Sequence, residues 1–136
     1  MLVRNIVLLI NFVLLSVFAT GQNYIGMHKD EIKRVVPAKY SGFVFDKFVD
    51  NGERSFVKFV NQIDEQTLLF MVNSQGICKS VSRMYNTWMY NDVSKDLSKM
   101  YRKTGKDEWM EQKDGKTYVI RLKRSDWFIT VTIRPN

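Results

Sequence analysis

The sequence predicts an α+β fold: an antiparallel sheet from two tandem helix-plus-strands units, with both helices on one face. Three observations carry that expectation. Two amphipathic stretches, around residues 29–36 and 91–105, place apolar side chains at helical spacing. Each is followed by short alternating runs punctuated by Asn-Gly, Gln-Gly or Asp-Gly turns. Ile32, Val35 and Val36 recur as Leu97, Met100 and Tyr101 at an offset of 65, which suggests tandem halves at 24–86 and 90–134. One helix on a few strands buries too little apolar surface, whereas two such units side by side form one sheet with a helix layer.

At the N-terminus, Arg4 is the only charge in the first 21 residues, and residues 6–19 form an apolar run interrupted only by Asn11 and Ser16. A membrane-spanning helix needs about twenty apolar residues. This run is shorter and ends in Ala19-Thr20-Gly21, small residues suited to a signal-peptidase site. Residues 1–21 therefore read as a signal peptide cleaved after Gly21, with cleavage after Ala19 and an uncleaved anchor as the alternatives. No Cys stands near the site to carry a lipid. The expectation is a secreted or periplasmic protein with no transmembrane span in its mature form.

Removing 21 of 136 residues leaves 115, which suits one α+β domain over 22–136. Only Arg4 is lost among the charges, so the formal balance of +7 becomes +6. Such a balance attracts anionic surfaces. Export argues against nucleic acid and favours an acidic protein or an anionic envelope component as partner. Nothing in the pattern specifies an oligomeric state. Cys78 is the only cysteine, which excludes an internal disulfide and reads as a buried small hydrophobe before a reactive thiol.

Taken in order, Lys29 to Val36 is expected to be helical, with Asp30 and Glu31 at its positive end and Pro37 as its stop. Two strands follow around the Asn51-Gly52 turn, the first apolar on both faces. The run from Thr67 to Tyr85 reads as strand, turn at Ser74 to Gly76, and strand, with Leu68, Phe70 and Val72 on one face. A second helix carries Val93, Leu97, Met100 and Tyr101, with Asn91 as its N-cap and Gly105 past its end. Asp107 to Ile133 then reads as three strands, turning at Asp114-Gly115 and at Arg124 to Asp126. Alternation places Tyr118, Ile120 and Leu122 with Trp127, Ile129, Val131 and Ile133 toward the core, where the second helix should dock. The other face holds Val119, Arg121, Lys123, Phe128, Thr130, Thr132 and Arg134.

The segment IGMHKDEIKRVV resembles the G-M-x-x-x-E-[IV] opening of the SmpA/OmlA outer-membrane assembly lipoproteins. The tandem helix-plus-sheet layout resembles the β-lactamase-inhibitor-protein fold and the small secreted proteins of Bacteroidetes-type bacteria. The resemblance implies an open sheet face that grips another protein. It carries over no catalytic residue, and the lipid-anchor Cys of the lipoproteins is missing.

No constellation on the chain carries catalysis. His28 is the only histidine, so a zinc site lacks ligands and a nucleophile-base pair could only be Cys78 with His28. The adjacent carboxylates Asp30-Glu31, Asp64-Glu65 and Asp107-Glu108 read as dipole partners or solvated charge, because strand neighbours point to opposite faces. Trp88 to Tyr90 and Trp109 read as core before a stacking site. The expectation is a non-enzyme with no metal or cofactor. Its binding residues would be Arg121, Lys123 and Phe128: a carboxylate-pairing fork, a mobile charge and an apolar anchor. An interaction module is the first reading, an envelope structural or assembly factor the second, and a small hydrolase the third.

Overall fold

The computed structural model describes residues 24–136, so the expected signal segment and its cleavage sites lie outside the described residues. Period-two burial marks the strands; from Ser55 to Asn61 and again from Gln66 to Val72, buried and half-buried residues alternate without a break. In chain order the elements are α1 (Lys29–Lys39), β1 (Val44–Val49), β2 (Ser55–Asn61), β3 (Gln66–Val72), β4 (Cys78–Asn86), α2 (Tyr90–Met100), β5 (Arg102–Gly105), β6 (Glu108–Lys113), β7 (Lys116–Arg124) and β8 (Phe128–Pro135). Single 3-10 turns lie at Gly52–Arg54 and Thr87–Met89.

The expected arrangement of two helix-plus-strands units is corrected. The described residues are mostly sheet, 51% strand against 25% helix, and their strands form a single eight-stranded antiparallel sheet in the order β1-β2-β3-β4-β8-β7-β6-β5. The β4–β8 ladder runs from Val81–Ile133 to Asn86–Phe128, so the sheet hydrogen-bonds straight across the expected boundary between units. Ile25 packs against the clusters on both sides of it. The sequence also concealed a strand: Arg102–Gly105 is fully exposed and pairs only with β6, so it has no apolar alternation to announce it.

Register fixes which side chains share a face. Phe70 opposes Val81, which opposes Ile133, so these three point to one side. On that side Ile32 and Val36 of α1 bury with Val57, Phe59, Phe70 and Val72. Val93 and Leu97 of α2 bury there with Trp109, Ile120, Ile129 and Val131. Both helices therefore pack on the same face. A bulge at Asp46 puts Phe45 opposite Phe59 and Phe48 opposite Val57, although the two are three residues apart. A second irregularity at Lys79 keeps both Cys78 and Val81 on the core side.

The helix ends differ from expectation. α1 runs to Lys39 with Pro37 inside it, because Tyr40 N–H still closes on the Val36 carbonyl at 2.9 Å. His28 is its N-cap, with Nδ1 accepting from the Asp30 N–H at 3.2 Å. Gly76 holds φ at +79° in the β3–β4 turn, and its carbonyl accepts from the Lys29 N–H at 2.8 Å; a Cβ there would stand 3.0 Å from the His28 ring. α2 starts before Asn91: the turn Thr87–Met89 feeds it, Met89 is the cap position, and Tyr101 in extended geometry ends it.

Candidate functional site

Arg121 and Lys123 stand on β7 with Ile120 and Leu122 pointing the other way into the core, which sends both cations to the face that the two described helices leave uncovered. Register sets Arg121 opposite Thr132 and Glu108, and Lys123 opposite Thr130. Phe128 is opposite Asn86 and two residues before Thr130, on the same face, and 39% exposed. The three expected binding residues are thus brought to one surface. Arg121 Nε donates to Glu108 Oε2 at 3.1 Å, a largely exposed pair worth at most about 1 kcal/mol. Lys123 and Arg134 form no ion pair among the described residues. Val119, expected on the polar face, is on it but buried, opposite Met110 and Arg134.

The same face continues across the other half of the sheet as a partly apolar surface that sequence reasoning passed over, with Lys58 of β2 among its residues, opposite Leu69 and ion-paired to Asp46 at 3.5 Å. Phe56 opposes Met71, Leu69 opposes Ser82, and Met84 opposes Thr130, all on the side away from the helices and all half-buried. Val60 belongs to the same set. The signal was present in TLLFMV, where both parities are apolar: one parity fills the core and the other is left for the open side.

Three large apolar side chains crown one end of the sheet, where loops 62–65, 87–89 and 125–127 gather. Ile63, Trp88 and Trp127 are each at least three-quarters exposed. Trp127 was expected in the core beside Ile129; it lies in the turn before β8, which Ser125 closes by donating through N–H and Oγ to the Phe128 carbonyl. Trp109 is the buried tryptophan, its indole N–H donating to Ser98 Oγ at 3.1 Å. Nearby, the Tyr90 hydroxyl donates to Asp107, which raises the phenol's pKa, while the Arg124 guanidinium sits 4.0 Å over the Tyr90 ring.

On the helix face, Arg83 of β4 half-buries its guanidinium beside Tyr40, Phe43 and Tyr85. Sequence reasoning did not single it out, although it shares parity with Val81 and Tyr85 and so had to point toward the core.

The remaining candidates have structural partners. Burial pushes the Cys78 thiol up to about 12, so it stays protonated and poorly nucleophilic at neutral pH. Asp64 and Asn61 bond reciprocally, Glu65 accepts from Asn86 Nδ2 at 3.0 Å, and Glu108 holds Arg121. No group of three or more His, Cys, Asp or Glu among the described residues is placed to hold a metal ion. No helix among them is long and apolar enough to cross a membrane. Comparison with known proteins finds no matching family model, no matching curated protein and no matching solved structure.

Proposed function

We propose that this chain is an exported interaction module, secreted or periplasmic, that binds an acidic protein partner on the helix-free face of its sheet. One observation carries the reading: a single face holds apolar side chains at Phe56, Leu69, Met71 and Met84, interrupted by the ion-paired Lys58, beside a basic half at Arg121, Lys123 and Arg134, with Phe128 near their junction and no described helix over it. Eight strands about 4.8 Å apart and about 20 Å long make a surface about 34 Å wide and about 700 Å² in area, on the scale of the ~800 Å² that one partner contributes to a standard interface. The apolar side chains supply desolvation, and the cations supply orientation and salt-dependent association. Export is supported by the N-terminal sequence pattern alone.

The envelope-assembly reading draws no support from the Gly-Met opening. Gly26 holds φ at +94° while its N–H donates to the Cys78 carbonyl at 2.8 Å, and Met27 packs on the first cluster, so local packing accounts for both residues.

The test is charge reversal, Arg121→Glu with Lys123→Glu. Wild-type protein should capture a reproducible acidic protein from envelope extract, with capture falling as salt rises, and the variant should lose it. The same protein captured by the variant with the same salt dependence would sink the proposal. Retention on anionic vesicles in place of a protein would move the site's ligand from protein to envelope surface.

A further inference from the structure

Arg83 presents a physical oddity on the face opposite the proposed interface. It stands on β4 at the centre of the sheet, with Leu68 and Val131 as its cross-strand neighbours on the core side. A half-buried cation there needs compensation. Part of it comes from Gln66, whose Oε1 accepts from Nε at 3.0 Å and from Nη2 at 2.7 Å. Part comes from the rings of Tyr85, Phe43 and Tyr40 at 5.1, 5.3 and 5.8 Å. No carboxylate pairs with it among the described residues. Two of the five guanidinium donors are thus used, which leaves three.

Arg83 lines open space. Two hollows share Arg83, Tyr85, Leu97 and Met100 as walls. The inner one, about 60 Å³, has an apolar floor of Leu68, Val81 and Val131. The outer one, about 160 Å³, runs beneath α2 and ends at Asp92 and Asp96. Together they are of the order of the ~150 Å³ cavity that takes up a benzene, so a short chain or small ring fits and a lipid tail does not.

We infer that this crevice is a binding site for a small monocarboxylate with a short apolar body, its carboxylate on the unused donors of Arg83 and its body on Leu68, Val81 and Val131. The guanidinium fork matches a carboxylate in geometry and charge. Asp92 and Asp96 at the outer lip select against a doubly charged phosphate, whose second charge would find repulsion where it needed a partner. The sheet's helix-free face takes no part, so this site and the proposed interface stand or fall separately.

The experiment uses the purified protein and three probes of one shape: pentanoate, pentanamide and pentylammonium. Nuclear magnetic resonance of the Arg83 side-chain Nε–H and of the tyrosine rings reports occupancy directly at the site. Pentanoate should shift the Arg83 and Tyr85 signals saturably in the millimolar range, while the amide and the amine do not. Arg83→Lys, which keeps the charge and loses the fork, should weaken pentanoate about tenfold or more. Asp96→Asn leaves Arg83 intact and should tighten it, which keeps the idea testable even where the lysine variant folds poorly. No saturable shift with pentanoate, equal binding of the amide, or preference for the amine would overturn the inference.

Discussion

The two faces of the sheet are built from the same strands and the same alternation, yet they do opposite things. On the helix side, Phe59, Phe70, Ile120 and Ile129 are completely buried and hold the chain folded. On the other side, Phe56, Leu69, Met71 and Met84 stay half-buried and Arg121, Lys123 and Arg134 stay exposed. Stability therefore resides on one face, and the second is free to vary toward a partner. The comparison teaches that an apolar residue in this sheet has to be judged by parity and cover, not by hydrophobicity alone. Leu68 and Leu69 are neighbours in sequence, but only Leu68 is core.

High pH should break this contrast most completely. Burial raises Tyr24 to about 12, Cys78 to about 12, and Tyr85 and Tyr101 upward, all of them packed on the helix side. Each group is neutral when protonated, so its contribution to stability is fully present below the ordinary values of 9.0 for the thiol and 10.0 for the phenols. That contribution is lost as pH rises through the raised folded values. The unfolding midpoint should be insensitive to these groups between pH 6 and 8, then fall steeply from about pH 9 toward 12. A midpoint level through pH 11 would mean that the aromatic layer is wetter than its burial indicates.

Truncation in the core comes next in size. Trp109→Ala removes a completely buried ring and its bond to Ser98, and should cost about 3–5 kcal/mol in urea denaturation. Leu97→Ala removes a buried α2 side chain from the cluster that includes Ile120 and Ile129 and should cost about 2–5 kcal/mol. Both are large fractions of the roughly 5–15 kcal/mol that holds a domain. An unchanged midpoint for Leu97→Ala would show α2 undocked in solution.

Substitutions on the helix-free face should barely register. Arg121→Glu exchanges the ion pair with Glu108 for repulsion and should cost about 1 kcal/mol, while the exposed change Lys123→Glu should stay within about 0.5 kcal/mol. A loss on the scale of Leu97→Ala would make this face part of the fold's stability and collapse the distinction between the two sides.

Much of this architecture was legible in the residues. The Asp114-Gly115 turn, the α2 stripe and the core parity of β7 were readable because each is a local pattern with a steric or solvation cause. The strand order was not, since nothing local in Val81 to Asn86 says that β4 rather than another strand will pair with β8 at the middle of the sheet. β5 was hidden by its exposure, and the bulge at Asp46 scrambled the alternation that would have sorted Phe45 from Val44. Trp127 was misplaced because alternation was extended one residue past the strand's true start. For the candidate site, the parity of Arg121, Lys123 and Phe128 was readable from β7 and β8 alone. The apolar side chains of their face needed the pairing of β2, β3 and β4, and Arg83 went unremarked although its parity was plain.

Hydroxyl-radical labelling of the methionines tests most directly whether the helix-free face is an open binding surface. Met71 and Met84 lie on it, whereas Met27 packs against the α1 cluster and Met89 against the α2 cluster. With the protein alone, Met71 and Met84 should oxidise at rates independent of its concentration. After incubation with envelope extract and recovery of the complex, those two should be protected while Met27 and Met89 keep their rates. Protection of Met71 and Met84 that grows with protein concentration alone, or protection confined to Met27 and Met89 in the complex, would contradict the assignment of this face to a partner.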